Sequence, residues 1–549
     1  MQKIEKLNKK FNIMKSNAST WESSWEDIKR WERPTRGRFD NSKANDGTAP
    51  NYQDIINNRI QVLVRIFANG MYSGMTNPAH KWFRLIVENE ALQDNHEVKA
   101  WLEKAENLIA KIFTKSNVYH GLRDIYEEIG LFATGCALIN DEYDTVLRLR
   151  NFTIGEYYLD NDYTGRVNSF AREFTMTVLQ LVEEFGIDNV SYDTRSKYKN
   201  KDYSFEVVVR HCIYPREQYD DTKKDNLNMP FASFYWEKGE DTVDKILKES
   251  GYKRFPVISP RWNIITTSDV YGKNSPGWES LGTAKSIQVM VKDKLINLAL
   301  IARPPVMVDL EVEEYDLNPN GVTFVDGLNA NNGVRPVDLV QADIQKIDAS
   351  IKEAEQEMGD IWYTNLFAMF SQSDDPKMTA TEVVKRDAEK MVSLASVLTM
   401  INNEALSPLI EIAFDKILDG GLIEEPPEIM QGEEWEIDYV STIAQAQKMI
   451  GTASIEQFAG FVGSLAGADP SVLDNIDLDA AIKEYGEKLN IPISIVRSKD
   501  MVDQIRLERA EAQQTQQQQE QMAQSIQGAK LLSETEIRPN TALTELVGN

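Results

Sequence analysis

Apolar residues recur at helical spacing through the first 139 positions, alternate with polar ones from 141 to 267, and return to helical spacing over most of the remainder. An opening helix carries Trp21, Trp25 and Trp31 and ends near Arg33-Pro34, because the residue before a proline is pushed out of the helical region. Tryptophans at four-residue spacing predict core contacts. The polar stretch RGRFDNSKANDGTAPN then reads as a loop. In YQDIINNRIQVLVRIFANG, Ile55, Ile56, Ile60, Leu63, Val64 and Phe67 form one broad stripe that should pack inward, ending before Gly70. A third helix over 97–115 places Val98, Trp101, Leu102, Ala105, Leu108, Ile109 and Ile112 on one face and leaves Glu103, Lys104 and Lys111 outside. A fourth, over 121–139, closes in the small-residue run ATGCAL, which suits close backbone approach.

The period then changes to two. VLRLR sets Leu147 and Leu149 against Arg148 and Arg150, and SFEVVVRHCIY sets Phe205, Val207, Val209, His211 and Ile213 on one face. Several antiparallel strands are therefore predicted, with one helix over 176–185 among them. A helix over 277–302 follows and is stopped by Arg303-Pro304-Pro305. The strand-like pieces VMVDLEV and GVTFV, with the turn signals NPNG and LNANNG, make a compact β-rich insertion before helix resumes over 342–370.

A polar loop, Ser371, Gln372, Ser373, Asp374, Asp375, Pro376 and Lys377, then opens into a helical pattern of about forty residues. Thr379 and Glu382 supply a capping box at its start, and Gly420-Gly421 a left-handed stop at its end. Pro408 removes one intrahelical bond, so a kink near Ser407-Pro408 is predicted in a rod of roughly 60 Å at 1.5 Å per residue. The charged stretch over 424–434 is the clearest boundary, followed by a strand, EWEIDYV, and helices. The last helical pattern runs through RLERAEAQQTQQQQEQMAQ. Its nine glutamines between Gln513 and Gln527 offer little to bury, so a solvated or intersubunit helix or a disordered tail is expected.

Charge and candidate chemistry narrow the function classes. Sixty basic residues against 86 acidic ones leave a formal charge of −26, which argues against gripping phosphates over a broad basic face. Cys136 and Cys212 stand in unrelated contexts, so buried thiols fit better than a disulfide or a thiolate metal site, as does a reducing cytoplasm. MQKIEKLNKKFNIMKSN lacks the apolar segment of a secretory signal. LINLALIARPPVMV is short and interrupted by Arg303 and two prolines, so no membrane span and no membrane partner are expected. Phosphate-loop spacing is missing, and GMYSG puts Tyr72 where a nucleophile elbow needs serine. His80, His96, His120 and His211 are scattered without zinc spacing, and Asp374-Asp375 reads as a solvated turn. No catalytic residue, cofactor or metal is expected.

Several stretches, in matching order, carry a resemblance. NGMYSGMTNPAHKWF at 69–83, GEYYLDND at 155–162 and REFTMTVLQLVEEFG at 172–186 come first. YGKNSPGW at 271–278, IARPPV at 301–306, MTATEV at 378–383 and YVSTIAQAQK at 439–448 continue it. Together they resemble the portal, or head-to-tail connector, proteins of short-tailed bacteriophages over nearly the whole chain. Residues 187–250 and 307–345 carry no recognisable family pattern. The resemblance implies an α+β portal fold assembled as a twelvefold ring, with a wing over 1–270, first stem helix over 271–304, clip over 305–344 and second stem helix over 345–370. A tunnel loop over 371–378, a long kinked wing helix over 379–421, and a crown with its tail over 422–549 complete it.

Such a ring would sit at one capsid vertex of the virion, made in the host cytoplasm, as the channel for genome packaging and ejection. The implied partners are other copies of the chain, the major capsid and scaffolding proteins, a terminase motor, a tail adaptor and non-specifically held double-stranded DNA. Within it, Ser371 to Lys377 would line the tunnel. Lys285 and Lys292, seven residues apart on one helix face, would either line the stem channel, solvate an outer face or pair between subunits. The alternative is a carboxylate-dependent hydrolase acting on nucleic acid or polysaccharide, for which no motif speaks.

Overall fold

The computed structural model describes residues 2–39, 50–93, 95–220, 222–223, 225–239, 245–308, 334–336, 343–371, 394–430, 432–441, 458, 460–465 and 499–534. These fall into two units, Met1–Ile450 and Gly451–Asn549. Where described, the second unit is helical, over 460–465 and through a helix Lys499–Glu534 that contains the glutamine-rich run. Met501, Leu507 and Met522 of that helix are exposed.

The first unit grows around one large hydrophobic core. Helix α1 (Gln2–Trp31) gives it Ile4, Leu7, Phe11, Met14, Ala18, Trp25 and Ile28, whose spacing of three, four and seven draws one buried stripe along the helix. Three lysines of the basic N-terminus are matched within the chain, Lys3 to Glu249 at 2.7 Å, Lys6 to Glu217 at 2.6 Å and Lys15 to Glu173 at 3.6 Å. Helix α2 (Arg59–Met75) is followed by β1 (Phe83–Val87), α3 (Glu90–Gln93), α4 (His96–Lys115) and α5 (Val118–Phe132). Asn95 caps α4, its side chain accepting from the backbone N–H groups of Glu97 and Val98.

The strand region is antiparallel throughout, as its two-residue period predicts. Strands β2 (Cys136–Glu142), β3 (Val146–Phe152) and β9 (Val257–Ile258) form a sheet in the order β3-β2-β9. Strands β4 (Tyr157–Asn161), β5 (Val167–Thr177), β6 (Glu206–Pro215), β7 (Phe231–Glu237) and β8 (Lys248–Tyr252) pair consecutively in a second sheet. The connection from β5 to β6 holds α6 (Val178–Phe185) and α7 (Tyr192–Lys199), and Leu181 and Phe185 of α6 close a small separate core with Val190, Val209 and Leu247.

Two long helices, α8 (Pro276–Ala302) and α9 (Ile344–Ile361), flank a short pair, β10 (Val306–Val308) and β11 (Val334–Pro336). GVTFV lies outside the described residues. Helix α10 (Thr364–Ser371) follows α9 and lies on α2, with Phe67 meeting Trp362 and Phe367 edge-on at ring-centroid distances of 5.5 Å each. A Cβ at Gly70 would stand 2.2 Å from the Phe367 ring, so only glycine admits this approach.

Several element boundaries differ from the sequence reading. Helix α2 starts at Arg59 and runs past Gly70 to Met75. The fourth helix stops at Phe132, because Ala133 turns left-handed at φ 62°, and the second half of ATGCAL, from Cys136, belongs to β2, paired with β3 and β9. The helix read over 342–370 is two, broken at Trp362 and Tyr363, the latter at φ 52°. Strand β12 (Trp435–Tyr439) lies beyond the boundary read at 424–434, yet it pairs with β1 inside the first unit.

Candidate functional site

Helix α8 changes character along its length. Ser275 precedes it, and Pro276 fills the first turn, where a missing N–H costs nothing. Its buried residues are Pro276, Gly277, Ser280, Ala284, Ile287 and Gln288, all in the first half. The Ser275 hydroxyl donates to the Leu131 carbonyl at 3.1 Å, and a Cβ on Gly277 would fall 2.4 Å from that same oxygen. Trp362 Nε1 donates to Ser280 Oγ at 2.9 Å, and Ser280 donates to Glu32 Oε1 at 2.8 Å. This chain ties α1, α8 and the break between α9 and α10 at one buried point. Glu32 is fully buried and its other oxygen has no partner, so burial pushes its carboxyl well above the ordinary range despite the Ser280 bond. Gln288 Oε1 accepts from Ile56 N and Asn57 N at 2.8 Å each, and its Nε2 donates to Asn57 O at 2.9 Å. That clamp fixes the segment before α2 and explains why the helix begins late.

Beyond Gln288 no side chain of α8 is buried. Val289, Leu295, Ile296, Leu298, Leu300 and Ile301 are instead 38–56% exposed. The contact with α9 includes the ion pair of Lys294 with Asp348 at 2.5 Å. An apolar helix half held out from the core is the feature that most needs a partner surface. Its signal in the sequence is LINLALIA, an apolar run too short to span a membrane.

Lys285 ion-pairs with Asp27 of α1 at 2.8 Å, so its charge is matched inside the chain. Lys292 is exposed and acts on Asp54, whose carboxyl is lowered chiefly by its hydrogen bond from Arg30. Ser371 ends α10, and Gln372, Ser373, Asp374, Asp375, Pro376 and Lys377 lie outside the described residues, as do Thr379 and Glu382.

Near Pro408 the long helix carries a π turn, Asn402–Leu406, directly before the helix Ser407–Asp419, so the irregularity spans a widened turn as well as the proline. The turn presents Glu404 to Arg261, a fully buried residue 143 positions earlier. Both guanidinium Nε and Nη2 donate to Glu404, Nη1 donates to Asp269 O at 2.7 Å and Nη2 to Gly165 O at 2.9 Å. Tyr439 Oη stands 2.8 Å from Ser407 Oγ and 3.4 Å from Asn402 O. Sequence reading missed this clamp because nothing local links Arg261 to Glu404.

Among the described residues no group of His, Cys, Asp or Glu is placed to hold a metal, and no helix is long and apolar enough to cross a membrane. Burial raises the thiols of Cys136 and Cys212, the latter to about 12, which leaves both as protonated core side chains.

Comparison with known proteins gives these elements their setting. The family described as "Bacteriophage head to tail connecting protein" matches residues 4–496. The portal protein of Salmonella phage epsilon15 is 35% identical over 544 residues, 99% of this chain and 97% of that protein. A probable portal protein of Bordetella phage BPP-1 is 35% identical over 542 residues, 98% of this chain and 97% of that one. A chain from the virion of a native gene transfer agent particle aligns with 67% of this chain and 88% of its own length, at 10% identity and a TM-score of 0.28, and carries no argument here. The chain belongs to the bacteriophage head-to-tail connecting family, and its function is that of a portal, or connector, protein.

Proposed function

We propose that copies of this chain close into a ring, twelvefold in number, at one vertex of the capsid. Duplex DNA passes through the centre during packaging and ejection, and the tail attaches to the outer end. The observation that carries the reading is the exposed apolar half of α8, Val289 to Ile301, which in an isolated subunit leaves six large side chains in water. Neighbouring copies of the α8–α9 pair would cover it, and a repeated head-to-tail contact that closes on itself is a ring. Here α8 and α9 are the stem, the segment between them the clip, residues 1–270 and 379–421 the wing, and 422–549 the crown and tail. Lys292, exposed on α8, is the remaining cationic candidate for the stem channel, since Lys285 is already paired with Asp27.

The role is mechanical. Each neutralised phosphate releases counterions and adds affinity that resists sliding, so a channel for moving DNA is served by an acidic subunit with few basic positions. The charge of −26 suits that requirement. Energy for packaging comes from a separate terminase motor, and capsid, scaffolding and adaptor proteins are the remaining partners. Negative-stain images of the purified chain test the reading. Annular particles with a central hole are expected, and a monodisperse monomer at micromolar concentration in light scattering would overturn it.

A further inference from the structure

In a chain this acidic, two arginines share one aromatic pair with no carboxylate ion-paired to either among the described residues. The register of the five-stranded sheet sets Arg172 of β5 opposite His211 of β6, His211 opposite Tyr235 of β7, and Tyr235 opposite Lys248 of β8. Arg172 is 4% exposed. Its Nε donates to His211 Nδ1 at 3.3 Å, which leaves the imidazole Nε2–H to donate to Ser233 Oγ at 3.0 Å. That arrangement requires a neutral ring, and burial, reinforced by Arg172 and Arg150, holds the His211 pKa well below its ordinary value.

From β3 a second guanidinium, that of exposed Arg150, approaches the same aromatic pair. Arg172 lies 4.0 Å from the Phe174 ring centroid and 5.2 Å from that of Phe152, and Arg150 lies 5.9 and 5.8 Å from the same two. Among the described residues neither arginine forms an ion pair with a carboxylate. Tyr235, through its hydroxyl, and Glu156 both favour the charged form of Arg172, but a phenol is neutral near pH 7 and Glu156 is itself committed to Arg38 at 3.0 Å. Burial and the like charge of Arg150 lower the Arg172 pKa to about 10, a direction that a paired arginine does not take. A buried charge is costly unless a counter-charge or full hydrogen bonding compensates it, and ring faces compensate it only in part.

We propose that Arg150 and Arg172 form an oxyanion site that takes a phosphate group. Two planar guanidinium forks suit a tetrahedral dianion better than a single carboxylate, because they match its charge and offer several donors at once. The phosphate is either free or part of a nucleic-acid backbone, and both present the same oxygens.

The test uses the full-length protein, inorganic phosphate, and a short DNA duplex. Arg150→Gln is the variant, since the residue is exposed and its loss leaves the core untouched. Phosphate stabilises folded proteins generally, so thermal unfolding is compared with chloride at matched ionic strength, wild type against variant. We expect phosphate to raise the wild-type midpoint further than the variant's, and phosphorus NMR titration to give binding about tenfold weaker in the variant. Competition by the duplex for the bound phosphate assigns the site to nucleic acid, and no competition assigns it to the free ion. Equal phosphate responses in wild type and variant, with no Arg150-dependent duplex binding, overturn the proposal and leave the arginines as packing groups.

Discussion

Glu32 shows how much one side chain settles at the root of the stem. It accepts from Ser280, which accepts from Trp362, and a Cβ on Gly277 would crowd its free oxygen at 3.0 Å. With its carboxyl held far above the ordinary range by burial, the folded chain keeps a proton that the unfolded chain releases. The stability contributed by that proton is complete below the ordinary carboxylate pKa and declines as pH rises from there through the folded value. Glu32→Gln keeps an acceptor for Ser280 and has no proton to lose. We expect its stability relative to wild type to improve from pH 5 towards pH 8, by up to about 1.4 kcal/mol per pH unit, in urea unfolding. Glu128, pushed up to about 7 by burial, titrates over the same range, so the difference between the two proteins isolates Glu32. Parallel pH profiles would mean that Glu32 is not protonated in the fold. Glu32→Ala, which removes the acceptor and leaves a hole, should cost about 2 kcal/mol at every pH.

At the scale of elements, the long helix separates what local sequence dictates from what distant contacts impose. Pro408 made an irregularity legible, but the π turn over Asn402–Leu406 is shaped by Arg261 and Tyr439, which no local pattern connects to it. Removing one partner of a buried ion pair leaves the other charge stranded, so Glu404→Ala should cost about 3–5 kcal/mol in urea unfolding. Pro408→Ala should change stability by about 1 kcal/mol or less, since Arg261 still holds the turn. If the proline variant proves the costlier, the ring of Pro408 and not the clamp sets the turn. Helix α4 was legible almost to the residue because its stripe is unbroken, and the antiparallel strands because their period is two. Helix α2 overran its glycine because Phe367 fills the space a side chain would need, and β1 found β12 across 352 positions. Of the candidate site, the irregularity at the proline could be read locally, whereas the polar stretch 372–377 lies outside the described residues. The Lys285–Asp27 pair and the unburied half of α8 depend on which faces the rest of the fold covers.

Over the whole molecule, assembly and DNA handling are expected to separate. The sequence Gln372 to Lys377 is short and polar and comes directly after α10, so deleting 372–376 should leave rings intact in negative stain yet impair retention of packaged DNA in virions. Normal packaging, retention and ejection would exclude a channel role for it. Assembly should rest on α8 instead. Leu298 and Ile301 lie three residues apart on that helix and are 39% and 44% exposed, so a carboxylate at either position reaches water in the subunit. Between subunits the same charge would be buried without a partner, at a cost that a repeated ring contact multiplies. The double variant Leu298→Glu, Ile301→Glu should therefore keep the far-ultraviolet circular dichroism of the wild type and unfold within about 0.5 kcal/mol of it. It should run as a monomer in light scattering where the wild type forms annular particles. Rings of unchanged size and yield from this variant would move the subunit contact away from the exposed half of α8, and the reading of α8 and α9 as the stem would fall with it.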